Sequence, residues 1–394
     1  MQRKLALTFI LLMGLVSLFG DMVYEGARSV TGPYLLVLGG SAFVAATVAG
    51  AGEFLGYAVR LGSGYLADRT KNYWFLTVAG YLLVGAVPLL VIAGRWETAA
   101  LLILLERIGK GIRAPARDAI LSHATQVTGR GWGFGIHEAM DQIGAILGPL
   151  LFTASYLLTG SYRGGFAWTA VPFFLLLLAL FLAWRTVPEP MALEKEKISQ
   201  SREGHVATSM VPYSVFIFFV MTGFLVFPLM AFYFKEYALV PDAQIPLFYS
   251  IAMGVDALVA LGIGKAYDRR GLDVLILLPL LGMLIPVLTF SFSYEMAFLG
   301  TMIWGASMGI QETVLRAALA DLIPLSQRGT AYGILNTVHG ASWLIGSLVM
   351  GILYGVNIPA LVVFSVILQM AGFFSFFWMR VQIKGQIPEY HSNG

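Results

Sequence analysis

Charged side chains stand in this chain where apolar neighbours should exclude them. Asp21, Glu25 and Arg28 fall within one apolar segment that opens near Leu5, and at roughly 100° per residue they occupy about 60° of a helical face. A charge inside a bilayer costs roughly 2.5–3.5 kcal/mol on insertion scales, so such residues face a partner or a wet path. Two carboxyls one turn apart in a dry setting can trade a proton near neutral pH. The same residues also admit a purely structural reading, an ion pair of Glu25 with Arg28 or of Asp21 with Arg60. A second charged stripe, Glu106, Lys110, Arg113 and Arg117 with Arg107 beside it, shares one face of a later segment. It can line a cavity or form a ladder of ion pairs. The ladder suits Arg113 and Arg117, nearer the polar end, and Arg107 lies deeper. A third group, His137, Glu138, Asp141 and Gln142, lacks the second histidine of a zinc-protease helix. A transported divalent metal held by His137, Asp141 and the acids near Asp21 is an alternative use for it.

The elements that must position these groups are membrane helices. The chain has 394 residues, 58% hydrophobic and 12% charged, with a mean hydropathy of +0.78. A soluble domain carries roughly 25% charged residues, so much of this surface must meet something other than water. Apolar runs at 5–20, 171–183 and 272–289 suit spanning helices, which need roughly 20 such residues. A barrel would need short alternating segments instead. The chain contains no cysteine, which excludes disulfides, thiol catalysis and cysteine–zinc sites. Arg3 and Lys4 before the first apolar run mimic a signal peptide, but the run continues into Asp21 and Glu25, so it is read as a retained first helix.

The hydropathy pattern predicts twelve spans, beginning near Leu5, Ser41, Trp74, Thr98, Gly131, Gly165, Pro212, Ile245, Leu272, Met296, Gly329 and Pro359. It groups them into bundles at 1–186 and 212–382, with a polar linker at 187–211 and a tail at 383–394. Most basic residues, among them Arg69, Arg117, Arg185, Arg269 and Lys384, fall on one side of this map; Arg95, Arg163 and Lys235 fall on the other. The positive-inside rule then puts both termini in the cytoplasm.

An internal repeat supports the two bundles. Leu61-Gly-Ser-Gly64-Tyr-Leu-Ala-Asp68-Arg69 recurs as Leu261-Gly-Ile-Gly264-Lys-Ala-Tyr-Asp268-Arg269, and Arg113-Ala-Pro-Ala-Arg117-Asp118 echoes Arg316-Ala-Ala-Leu-Ala-Asp321. Gly62 and Gly64 would admit a close helix neighbour, and Asp68 would pair with Arg113 or Arg117. Such a pair is a latch that holds in one conformation and breaks in another.

Gly64-Tyr-Leu-Ala-Asp68-Arg69 resembles the loop signature between the second and third helices of the major facilitator superfamily, and Gly264, Asp268 and Arg269 resemble its weaker second copy. Lys71-Asn72-Tyr73 stands where that signature continues with glycine and basic residues. Arg107 with Gly109 is similar to the family's fourth-helix signature, whose arginine is tied to proton coupling. Gly144-x-x-x-Gly148-Pro149 resembles half of its antiporter signature, with Phe152 and Thr153 where further glycines usually follow. The motifs lie closest to proton-coupled drug-efflux members.

The resemblance implies an all-α polytopic protein of two pseudo-symmetric six-helix bundles in a cytoplasmic membrane, and a secondary transporter working by alternating access. Asp21, Glu25, Arg28, Arg107, His137, Glu138 and Asp141 are the expected proton and substrate residues. Gly64, Asp68, Arg69, Arg113, Arg117, Asp268 and Arg269 are the expected latch. The expected partners are a small molecule, protons and membrane lipid, acting on a monomer with no nucleic acid, cofactor, resident metal or enzyme activity. Acids in the first half and aromatics such as Phe216, Phe224 and Phe232 in the second suggest export of a cationic or amphiphilic compound. Uptake of a small polar solute and transport of a divalent metal are the alternatives, and a membrane enzyme or receptor is the rival from outside transport.

Overall fold

The computed structural model describes residues 2–128, 130–189, 207–322 and 328–384. Most of the expected linker and tail therefore lies outside the described residues, as do the side chains of Arg316 and Asp321. Among the described residues the secondary structure is helical, with no strand. Two compact units emerge from the packing: Met1–Ile198 with Val226–Gly254, and Ser199–Leu225 with Val255–Gly394.

The first unit is built around α1 (Gln2–Val37). Around it stand α2 (Ala42–Thr70), α3 (Tyr73–Leu82), α4 (Trp96–Thr128), α5 (Arg130–Thr159), α6 (Tyr162–Trp168) and α7 (Ala170–Thr186). A later stretch, α9 (Phe227–Glu236) and the start of α10 (Gln244–Arg270), belongs to the same unit. Local chemistry sets the joints. Ser41 caps α2 by accepting from the Val44 N–H, and Asn72 caps α3 by accepting from Phe75. Between them Lys71 takes φ +55°, a left-handed turn that ends α2 just beyond Asp68 and Arg69.

Glycines decide which helices touch. A Cβ on Gly148 of α5 would lie 2.5 Å from the Met22 carbonyl oxygen and 2.8 Å from the Gly26 nitrogen of α1. A Cβ on Gly80 of α3 would lie 2.6 Å from the Gly109 carbonyl of α4. On α4, Gly111 meets the Gly56 carbonyl of α2 in the same way at 2.8 Å. The three crossings bring backbones together without any hydrophobic drive between helices in lipid. The expected close approach at Gly62 is absent, since nothing lies within 4 Å of a Cβ there, and Gly64 sits at an ordinary 3.7 Å from Pro115. Gly262 and Gly264 of the second unit repeat that arrangement, the latter 3.7 Å from Thr313.

The second unit contains α8 (Ala207–Thr222), the end of α10, α11 (Leu277–Thr289), α12 (Tyr294–Leu322), α13 (Arg328–Val356) and α14 (Ile358–Lys384). Phe216, Tyr267, Ile310, Val314 and Phe376 are among its buried core. The chain unwinds after α8 at Gly223 and restarts ahead of Pro228. Side chains take up the freed carbonyls: Gln369 Nε2 donates to Val220 (3.0 Å), Ser365 Oγ to Gly223 (2.6 Å) and Trp304 Nε1 to Leu225 (2.9 Å). A broken helix at membrane depth persists only with such partners.

Among the described residues nine helical stretches are long and apolar enough to cross a membrane. One of them, Gln244–Thr289, runs for 46 residues.

Candidate functional site

The charged face of α1 meets the charged face of α4 inside the first unit. Asp21 and Glu25 are almost wholly buried, as are Glu106, Arg107 and Arg113 of α4. The node that joins them is Glu53 of α2. Its Oε1 accepts from Arg28 Nη2 at 2.9 Å and lies 3.4 Å from Arg107 Nη1. Arg28 also reaches Glu25 at 3.6 Å, and Arg107 reaches Glu106 at 3.4 Å. Tyr249 of α10 donates its phenol proton to Glu25 Oε2 at 2.5 Å.

Lys110 stands apart within this network. Its ammonium lies 4.7 Å from the centre of the Tyr24 ring and no closer than 3.9 Å to Glu25. Arg113 is sandwiched between the Tyr24 and Tyr81 rings, at 5.1 and 4.8 Å, with Glu106 3.9 Å away. Gly80 and Gly109 account for this: they draw α3 onto α4 and carry Arg113 into the interior.

A second cluster sits between α1 and α5. Ser17 donates to Asp141, and the Asp21 carboxyl comes within hydrogen-bonding reach of Asp141. His137 is buried one turn away, and its Nε2 has no hydrogen-bond partner among the described residues. Arg117 holds Asp118 at 2.8 Å, close enough for its charge to act on Asp141 and His137.

The structure thus gathers six of the seven expected proton and substrate residues into two neighbouring clusters, with Asp21 belonging to the second. Glu138 points to an exposed face instead. The expected latch is not assembled. Asp68, Arg69, Asp268 and Arg269 are exposed, and among the described residues no ion pair joins Asp68 to Arg113 or Arg117. Those two arginines are engaged with Glu106 and Asp118. Among the described residues no three histidine or acidic side chains converge as metal ligands.

Two members of the site went unnoticed in the sequence. Glu53 had a signal, being the first charged residue of an apolar helix and lying near its middle. Tyr249 had none, because an uncharged phenol is ordinary in a membrane span.

Away from these charges, where the chain leaves α9, a third group closes a turn. Asp242 accepts from Lys235 Nζ (2.7 Å), Tyr156 (2.6 Å) and Tyr162 (3.1 Å). Burial pushes its carboxyl up, but the Lys235 ammonium and the two phenols outweigh that and hold it below the usual 3.8. The second unit offers a contrasting apolar cavity of about 620 Å³, lined by residues including Met210, Val215, Phe218, Phe219 and Val338.

A model of the Major Facilitator Superfamily matches residues 10–292. An uncharacterized protein of Mycobacterium tuberculosis is 40% identical over 380 residues, spanning 95% of this chain and 93% of that one. An uncharacterized MFS-type transporter of Methanocaldococcus jannaschii is 26% identical, spanning 88% of each. Among solved structures, a POT family transporter in complex with 5-aminolevulinic acid superposes with a TM-score of 0.76 at 14% identity, covering 96% of both chains.

Proposed function

The chain belongs to the Major Facilitator Superfamily, and on that premise we propose that it is a secondary transporter working by alternating access, with Asp21 and Asp141 carrying its coupling proton. The observation behind the proton is the closeness of these two carboxyls, Asp21 buried and Asp141 part-buried beside Ser17. Adjacent like charges in a dry interior do not both ionise, so the pair holds one proton between its oxygens. Arg117 and His137 flank it and set how readily that proton leaves. Arg107 and Arg28, locked on Glu53, are positioning residues in this scheme.

The proposal includes twelve crossings in bundles at 1–186 and 212–382, a cytoplasmic membrane and cytoplasmic termini. The 46-residue stretch is long enough for two crossings, and α4 and α12 are long enough for one each. Export of a cation is not carried forward. It rested on acids of the first half facing aromatics of the second, and of those acids Glu25 is held by Arg28 and Tyr249.

The test needs no known substrate. The chain has no cysteine, so Thr70→Cys and Arg270→Cys accept spin labels without background. In wild-type protein the distance distribution between them is expected to shift between mildly acidic and mildly alkaline pH, and Asp141→Asn is expected to abolish the shift. A wild-type distribution that ignores pH sinks the proton assignment.

A further inference from the structure

The interior of the first unit holds more positive than negative charge around α4. Arg28, Arg107, Lys110 and Arg113 face Glu25, Glu53 and Glu106. Arg60 adds a further cation near Glu53. The other carboxyl within range, Asp21, is engaged with Asp141. Ion pairs assign themselves to the arginines: Arg28 and Arg107 share Glu53, and Arg113 has Glu106 and two aromatic rings. Lys110 is left with one ion pair, at 3.9 Å, and no hydrogen bond among the described residues. It is also the most accessible of the four paired cations, 28% exposed against 12% for Arg28, 9% for Arg107 and 2% for Arg113.

An ammonium has three donors and is strongly hydrated, so one held at membrane depth with a single acceptor at 3.9 Å has room for a further anion. The Tyr24 ring beneath it stabilises the cation but takes none of its hydrogen bonds. Tyr249 meanwhile occupies the Glu25 oxygen that Lys110 does not approach.

We propose that this transporter takes a small organic carboxylate, bound through its carboxylate oxygens to Lys110. The inference rests on the transport reading and supplies its substrate class. It also gives the charges a consistent count. An arriving carboxylate neutralises Lys110, and the proton held by Asp21 and Asp141 travels as a separate, adjacent charge.

Three probes of one skeleton test it on purified full-length protein: phenylacetate, 2-phenylethanol and phenethylammonium. Phenylacetate is expected to raise the melting temperature, and the other two are not. Lys110→Gln is expected to weaken phenylacetate by about ten-fold or more, with Lys110→Arg retaining most of the affinity. Without any probe, Lys110→Gln is expected to melt at or above wild type, because it removes a cation whose one ion pair is long. Stabilisation by phenethylammonium alone overturns the proposal, as does undiminished phenylacetate binding to Lys110→Gln. If no probe binds, a marked fall in the melting temperature of Lys110→Gln overturns it too, since that would make Lys110 a paired structural cation. The proton reading fails separately: a pH-blind label distance removes the proton and leaves phenylacetate binding to be measured.

Discussion

Replacing Glu53 by Gln deletes the acceptor that two cations share. Breaking a buried ion pair from one side costs about 3–5 kcal/mol, because the partner charge stays behind. Two features lower that figure. The Glu53 side chain is 18% exposed, so water screens part of the charge, and each arginine keeps a second acid, Arg28 at 3.6 Å from Glu25 and Arg107 at 3.4 Å from Glu106. The expected loss is therefore about 2–3 kcal/mol. Equilibrium unfolding in mixed detergent micelles measures it, within a double-mutant cycle against Arg107→Gln. Removing both partners leaves fewer unmatched charges than the single losses imply, so the cycle should show a coupling of about 1–2 kcal/mol. A Glu53→Gln protein within about 0.5 kcal/mol of wild type, or a coupling near zero, refutes the assignment of Glu53 as the node. The sign is diagnostic as well. Within one cluster, losing Glu53 should destabilise while losing Lys110 should not.

Other outcomes follow from single contacts. Gly148→Ala drives a Cβ into the α1 backbone and should cost about 1–3 kcal/mol, whereas Gly62→Ala, with open space around it, should melt like wild type. Tyr249→Phe removes a hydrogen bond to a carboxylate and should cost about 1.5–3 kcal/mol in the same unfolding assay. Asp242, held below its ordinary 3.8, contributes stability that is complete above that value and disappears as pH falls through the lower folded value. The melting-temperature gap between wild type and Asp242→Asn should therefore be constant near neutrality and close only below 3.8. At neutral pH that variant should also be cut faster by trypsin after Lys235.

Much of the chemistry was legible in the chain as helical faces. Asp21, Glu25 and Arg28 lie on one side of α1 because a helix repeats every 3.6 residues, and the stripe on α4 follows the same rule. Arg113 shows where that reading ran out. Its position toward the polar end of α4 suggested a boundary residue pairing with Asp68. The close crossing at Gly80 and Gly109 instead buries it between Tyr24 and Tyr81. Gly62 and Gly64 illustrate the converse, small residues that look like a helix contact and meet nothing close.

The sequence by itself determined a helical membrane chain and the set of side chains on each helical face, because hydropathy and helical period are properties of consecutive residues. Only the tertiary structure decided that Arg28 and Arg107 meet on Glu53, that Asp21 turns to Asp141, and that Lys110 is left over. Those pairings depend on where helices cross and at what depth. Backbone contacts at Gly26, Gly80, Gly111 and Gly148 set both, and no local pattern encodes which partner such a glycine will meet.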